Sequence, residues 1–328
     1  MRRARFTIVG RCAAVAAPVV AALMAIAGAV PAWAADTTTE LPGGSVVYAA
    51  ANQIVLESEV INLRHDAVRV TSVLRGIEAR GRPVLMAFAL PDIDMAALDG
   101  ASVSVLSYDP NNATNFVGFW VRADGAEVPL EVEQRALALG LLDATALLSK
   151  HEVPLYPLTT DVADILTALP PEARDELVAQ SLVRLADGQY EPLWTLRTVF
   201  HWRQAVPPSR PLQLSFGYQP IAGSSLWTED TAATLAARFC VDAAQAEALT
   251  RRAKAGAQVT ANWIVFQPGT SGPLRGPVGD YTVDIERTNE QTVIATCREG
   301  FKPAANGSLQ FKATDHVAED DILVVFVD

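Results

Sequence analysis

Trp120-Val121-Arg122-Ala123-Asp124-Gly125-Ala126-Glu127-Val128-Pro129-Leu130-Glu131-Val132-Glu133 decides the fold class of this chain. Asp124-Gly125 is a pair that accepts positive φ and closes tight hairpins. Before it, Trp120 alternates with Gly118 and Arg122. After it, Val128, Leu130 and Val132 fall on one face while Glu127, Glu131 and Glu133 fall on the other. Asn115 to Glu133 therefore reads as a half-buried β-hairpin.

Working outward, the β signal extends back to Ser45. Val68 to Leu74 alternates in part, and Pro83 to Leu90 is a short apolar run stopped by Pro91-Asp92. From Arg135 to Asp187 the pattern turns helical. Leu137, Leu141, Leu142, Ala144, Leu147 and Leu148 recur at helical spacing, Asp161 and Pro170-Pro171 mark a cap and a break, and Glu172 to Leu185 reads as a further helix. Strands return at Leu193–Gln204 and Leu212–Gln219. Two helices follow, Thr228–Phe239 and Asp242–Ala255, the second ended by Gly256. Strands are expected again near Gln258–Gln267, Tyr281–Glu286, Thr292–Arg298, Ser308–Ala313 and Ile322–Val327. The expected fold is α+β, predominantly an antiparallel β-sandwich with helical insertions. Its segments are a β segment over 36–134, a helical insertion over 135–187, and a β segment with a helical pair over 188–328, packed as one domain or two.

The first 35 residues read as a secretory signal. Arg2, Arg3, Arg5 and Arg11 precede an Ala/Val-rich apolar run that ends at Ala32-Trp33-Ala34, placing cleavage after Ala34 or Ala35. The expected location is periplasmic or secreted, with just under 300 residues in the mature chain. Four of the 26 Lys and Arg and none of the 37 Asp and Glu lie in the first 35 residues. The mature protein thus carries 22 basic against 37 acidic residues, a net charge of −15. That argues against nucleic acid and anionic lipid as partners. No later apolar run is long enough to span a bilayer.

Only Cys240 and Cys297 remain after cleavage. In an exported chain they suggest one disulfide, with two buried free thiols as the alternative. No G-x-S-x-G, C-x-x-C, H-E-x-x-H or phosphate-binding loop occurs, and His65, His151, His201 and His316 lack metal-ligand spacing. No cofactor or metal is expected. Asp92, Asp94 and Asp109 fit turns better than a calcium loop.

Glu57 and Glu59, two apart in a strand, share a face under simple alternation, as do Glu131 and Glu133. If the two strands met, clustered carboxylates could serve as acid and base or nucleophile in glycan hydrolysis. A solvated sheet face is the plain alternative. Among the tryptophans, Trp202 fits a core position; Trp120, alternating with Gly118 and Arg122, is the candidate exposed platform for sugar rings, with core packing, the commoner place for a tryptophan, as the alternative.

An ordered set of short motifs carries a family resemblance. They are Glu57-Ser58-Glu59; Phe88-Ala89-Leu90-Pro91-Asp92-Ile93; Asp124-Gly125 leading to Val132-Glu133-Gln134-Arg135; Trp194-Thr195-Leu196; Trp202; Tyr218-Gln219-Pro220; Cys240; Ala261-Asn262-Trp263; Gly276 to Tyr281; and Cys297. Together they resemble a bacterial exported family known as domain of unknown function 4424, across nearly all of the mature chain. Ala89 departs from the proline expected there, and Phe216-Gly217-Tyr218 is less polar than usual. The resemblance implies export and a Cys240–Cys297 disulfide, and it brings no catalytic residues. A fainter likeness, at fold level, is to the N-terminal sandwich of inter-alpha-trypsin-inhibitor heavy chains. The expectation is a non-catalytic cell-envelope binding or interaction module for a protein partner or an uncharged or cationic glycan. The alternative is a carboxylate-dependent glycan hydrolase.

Overall fold

Strands β1 (Ile54–Arg64) and β2 (Ala67–Gly76) form a long antiparallel hairpin in which buried and exposed residues alternate. The computed structural model describes residues 43–49, 53–77, 83–96, 112–158, 161–268, 277–318 and 320–328. The expected signal sequence over residues 1–35 and Asp109 lie outside the described residues. Next come β3 (Pro83–Ala89), β4 (Trp120–Ala123) and β5 (Glu131–Ala138). Helices α1 (Thr145–Lys150), α2 (Val162–Ala168) and α3 (Pro171–Ala179) follow, then a hairpin of β6 (Val183–Ala186) and β7 (Gln189–Pro192). The chain continues through β8 (Thr195–Ala205), β9 (Leu212–Tyr218) and β10 (Gly223–Leu226) to the helix pair α4 (Glu229–Phe239) and α5 (Ala243–Lys254). It ends with β11 (Thr260–Gln267), β12 (Val278–Ile285), β13 (Val293–Ala295), β14 (Leu309–His316) and β15 (Ile322–Val327).

These strands build three main sheets. The largest has eight strands in the order Lys302–Pro303, β14, β12, β1, β2, β9, β4, Ala126–Glu127. A six-stranded sheet runs Leu142–Asp143, β5, β8, β3, Val47–Tyr48, with Ile93–Asp94 also paired to β8. A five-stranded sheet runs Gly43–Gly44, β11, β15, β13, with β10 beside β11. Among the described residues pairing is antiparallel except for β12 with β1 and Gly43–Gly44 with β11. Each sheet takes strands from both ends of the sequence, so the two β segments interleave within one unit, Asp36–Asp328.

The inner face of the eight-stranded sheet packs on both smaller sheets. Phe216 and Val70 from it meet Phe88, Phe200 and Trp202 from the six-stranded sheet, and Ile264, Val324 and Phe326 from the five-stranded one. Phe88 and Phe119 stack at 4.3 Å. The five-stranded sheet buries its second face as well. Trp263, Val325 and Val327 pack there against Leu235, Phe239 and Leu249 of α4 and α5. Burial on both faces is why Thr260–Gln267 and Ile322–Val327 read as near-continuous apolar runs.

Thr228 caps α4 in a reciprocal box with Thr231, and Asp242 caps α5 by accepting from Ala244 and Gln245 amides. Cys240 ends α4 in the left-handed region (φ 55°) and is disulfide-bonded to Cys297 just beyond β13, at a Cα–Cα distance of 5.0 Å. The disulfide expected from the sequence is thus present, and the free-thiol alternative is not.

Three expectations about elements need correction. Residues 135–148 do not form one helix. Arg135 to Ala138 belongs to β5, and the chain then reverses through Leu139 (φ 54°) and Gly140 (φ 69°), so helix begins only at Thr145. The helix expected to reach Leu185 stops at Ala179, and Ser181 (φ 56°) turns the chain into β6. The Asp124-Gly125 hairpin is also shorter than its alternation suggested. Asp124 (φ 48°) and Gly125 (φ 83°) make the turn, and β4 pairs with Ala126–Glu127. Pro129 has no amide proton to extend the ladder, and by Glu131 the chain has crossed to the six-stranded sheet.

Candidate functional site

The outer face of the eight-stranded sheet contributes no side chain to any of the three hydrophobic clusters. Trp120 stands on this face. In β4 its neighbours Phe119 and Val121 are buried, so alternation turns Trp120 outward. It is 36% exposed, whereas Trp194, Trp202, Trp227 and Trp263 are each at most 2% exposed. Across the ladder Trp120 faces Gly217 of β9, and the Cζ2–Cε2–Nε1 edge of the indole packs over it. A Cβ added at Gly217 would come within 2.8 Å of the ring. The glycine is what lets a large ring lie down on the sheet.

Arg122, two residues on, places its guanidinium 5.3 Å from the Trp120 ring centroid. It also meets Glu127 at 3.4 Å, a pair in which both side chains are well exposed and so weakly held. The next strands in the Trp120 row supply Arg69 opposite Gly217, then Asn62 opposite Arg69. Thr71 and Ser215 share a hydrogen bond at 3.2 Å in the adjoining row. A cavity of about 170 Å³ lies at the Asn62 end, lined by Asn62, Arg64, Ala67, Arg69 and Glu286. Within it Asn62 donates to Glu286 at 2.8 Å, and Arg64 is committed to Asp66 at 2.9 Å. Partial burial pushes the Asp66 carboxyl up, but the Arg64 hydrogen bond and charge outweigh this and hold it below the usual carboxylate range.

The structure separates the two expected carboxylate pairs. A β-bulge between Leu56 and Ser58 shifts the register of β1. Glu57 consequently pairs with Arg75 on the outer face. Glu59 is turned into the interior, 1% exposed, and accepts from Ser72 Oγ at 3.1 Å. The expectation that Glu57 and Glu59 share a face is therefore corrected: one extra residue in a strand reverses the alternation beyond it.

Glu131 and Glu133 do share a face, on the six-stranded sheet. His201 of β8 lies between them, with Nδ1 3.8 Å from Glu131 and Nε2 3.6 Å from Glu133. Arg135 reaches Glu133 at 3.5 Å, and Arg197 pairs with Asp92 at 2.5 Å. These groups form a solvated charge ladder. Because β1 and β5 belong to different sheets, the four carboxylates do not assemble into one acid–base site. Among the described residues, no three His, Cys, Asp or Glu side chains are placed to hold a metal ion. No described helix is long and apolar enough to cross a membrane.

Comparison with known proteins gives a family match over residues 34–325, to the family described as Domain of unknown function (DUF4424). The chain belongs to the DUF4424 family. No curated protein matches it. Among solved structures, it is similar to a candidate nutrient-binding protein from Legionella pneumophila subsp. pneumophila, with 11% identity and a TM-score of 0.41 over 89% of this chain and 72% of that one. It also aligns with baculovirus P35, with 11% identity and a TM-score of 0.20 over 86% and 93% of the two chains.

In this DUF4424 chain, sequence reasoning singled out Trp120 and Arg122 but missed Arg69, Asn62 and Gly217. These three come to Trp120 through strand pairing across long stretches of sequence. Only the small residue in Phe216-Gly217-Tyr218 hinted at a close approach.

Proposed function

We propose that this protein is an exported, non-catalytic binding module of the bacterial cell envelope that holds a glycan on the outer face of its eight-stranded sheet. The observation that carries this reading is Trp120, the exposed tryptophan among the described residues, packed over Gly217 with hydrogen-bonding side chains in the neighbouring strands. An indole face offers a sugar ring apolar C–H contact, and Arg, Asn, Ser and Thr beside it can satisfy hydroxyls. Export rests on the signal-like pattern at residues 1–35, and among the described residues Glu57, Glu59, Glu131 and Glu133 form no converging acid–base pair, which favours binding over hydrolysis.

Titration of the mature protein with a panel of soluble neutral and acidic polysaccharides tests this. At least one polymer should change tryptophan emission, and Trp120→Ala should weaken its binding at least tenfold, since buried tryptophan anchors are worth about 2 kcal/mol or more. Its thermal midpoint should stay near wild type. Binding that survives Trp120→Ala would refute the site. No response to any polymer would favour an envelope protein as partner, for which the exposed Leu139, Leu141 and Leu142 turn supplies apolar surface.

A further inference from the structure

Two hydrogen-bond donors beside each other on the outer sheet face lack acceptors. The indole edge of Trp120 that carries Cζ2, Cε2 and Nε1 lies over Gly217, and the next residue across the sheet from Gly217 is Arg69. Among the described residues neither the Trp120 indole N–H nor the Arg69 guanidinium has a hydrogen-bond or ion-pair partner. Other arginines of this face are engaged: Arg75 with Glu57, Arg64 with Asp66, Arg122 with Glu127. In a chain with 37 acidic residues against 26 basic ones, a carboxylate partner for Arg69 would have been easy to supply. Its place opposite Arg69 is taken instead by glycine on one side and by Asn62, itself bound to Glu286, on the other.

We propose that the glycan is acidic and that Arg69 and the Trp120 indole N–H together receive a hexuronate carboxylate. This rests on the Trp120 reading above and specifies its ligand. One sugar stacks on the indole. The carboxylate of its neighbour lies beyond the Nε1 edge of the ring, on the Arg69 side of Gly217, and accepts from both donors. A guanidinium presents two parallel N–H groups to a carboxylate and makes stronger hydrogen bonds than a neutral donor. Trp120 and Asn62 stand on the first and last of four successive strands, a span of about 14 Å at the usual strand spacing, so the polymer continues toward the cavity lined by Asn62, Arg64, Arg69 and Glu286. The overall negative charge does not forbid this. At physiological ionic strength charges beyond about 8 Å are largely screened, and the groups nearest the site decide.

The test compares polygalacturonate, alginate and hyaluronan, each with its methyl-esterified or carboxyl-reduced neutral counterpart, on wild type, Arg69→Gln and Trp120→Ala. Wild type should bind at least one acidic polymer about tenfold or more tighter than its neutral form. Arg69→Gln should remove that preference while keeping Trp120-dependent binding of the neutral polymer, and Trp120→Ala should weaken both. Equal or better binding of the neutral forms, or a preference unchanged in Arg69→Gln, overturns the acidic ligand and leaves the Trp120 site standing. If no polymer binds in a Trp120-dependent way, both fall.

Discussion

Gly217 does more for the proposed site than any charged residue, because it sets where Trp120 can lie. An added methyl would meet Cζ2, Cε2 and Nε1 of the ring at 2.8–3.0 Å. The ring is the free end of a partly exposed side chain, so it can swing away at little cost to the fold. The backbone at Gly217 is ordinary strand, where alanine is tolerated slightly better than glycine. Gly217→Ala should therefore leave urea stability within about 1 kcal/mol of wild type yet weaken glycan binding at least tenfold. Retained affinity in a folded Gly217→Ala protein would show that the indole packed over Gly217 is not the platform. Glu59 illustrates the opposite case, a carboxylate turned inward and held by Ser72, with a role in the interior and not at the face.

At the scale of elements, the α4–α5 pair is joined to the five-stranded sheet by packing of Phe239, Leu235 and Leu249 on Trp263 and Val325, and by the Cys240–Cys297 bond. That bond closes a 57-residue loop, worth about 4 kcal/mol in the chain-entropy account. Replacing both cysteines with serine should lower the urea midpoint by a corresponding amount while leaving Trp120-dependent binding intact, since α4 and α5 pack on a different sheet. An unchanged midpoint would mean that packing alone carries the attachment. The strands and this helix pair were legible in the sequence because their cues are local: alternation in Val68–Leu74, a cap at Asp242, a stop at Gly256. Only the second half of β5, from Arg135, reads as helix, because Leu137, Leu141 and Leu142 mimic helical spacing, and the reversal depends on positive φ at Leu139, which leucine seldom adopts. The bulge at Glu57 was hidden for a related reason. Nothing in Leu56-Glu57-Ser58 marks which residue loses its partner, and that choice is made by pairing with β2.

For the whole molecule, the three sheets divide the surface by role. The five-stranded sheet is covered on both faces, the six-stranded sheet carries a charge ladder outward, and the eight-stranded sheet presents Trp120. The candidate site was partly legible, since Trp120 and Arg122 stand next to each other in one strand. Arg69 and Asn62 join them only once β4, β9, β2 and β1 lie side by side. The most direct measurement is fluorine NMR of the mature protein carrying 5-fluorotryptophan, whose five tryptophans give five resonances. Titration with the bound polysaccharide should move one of them, the one missing in Trp120→Ala, and leave the four buried indoles in place. Movement of buried resonances while that of Trp120 stays fixed would contradict the account.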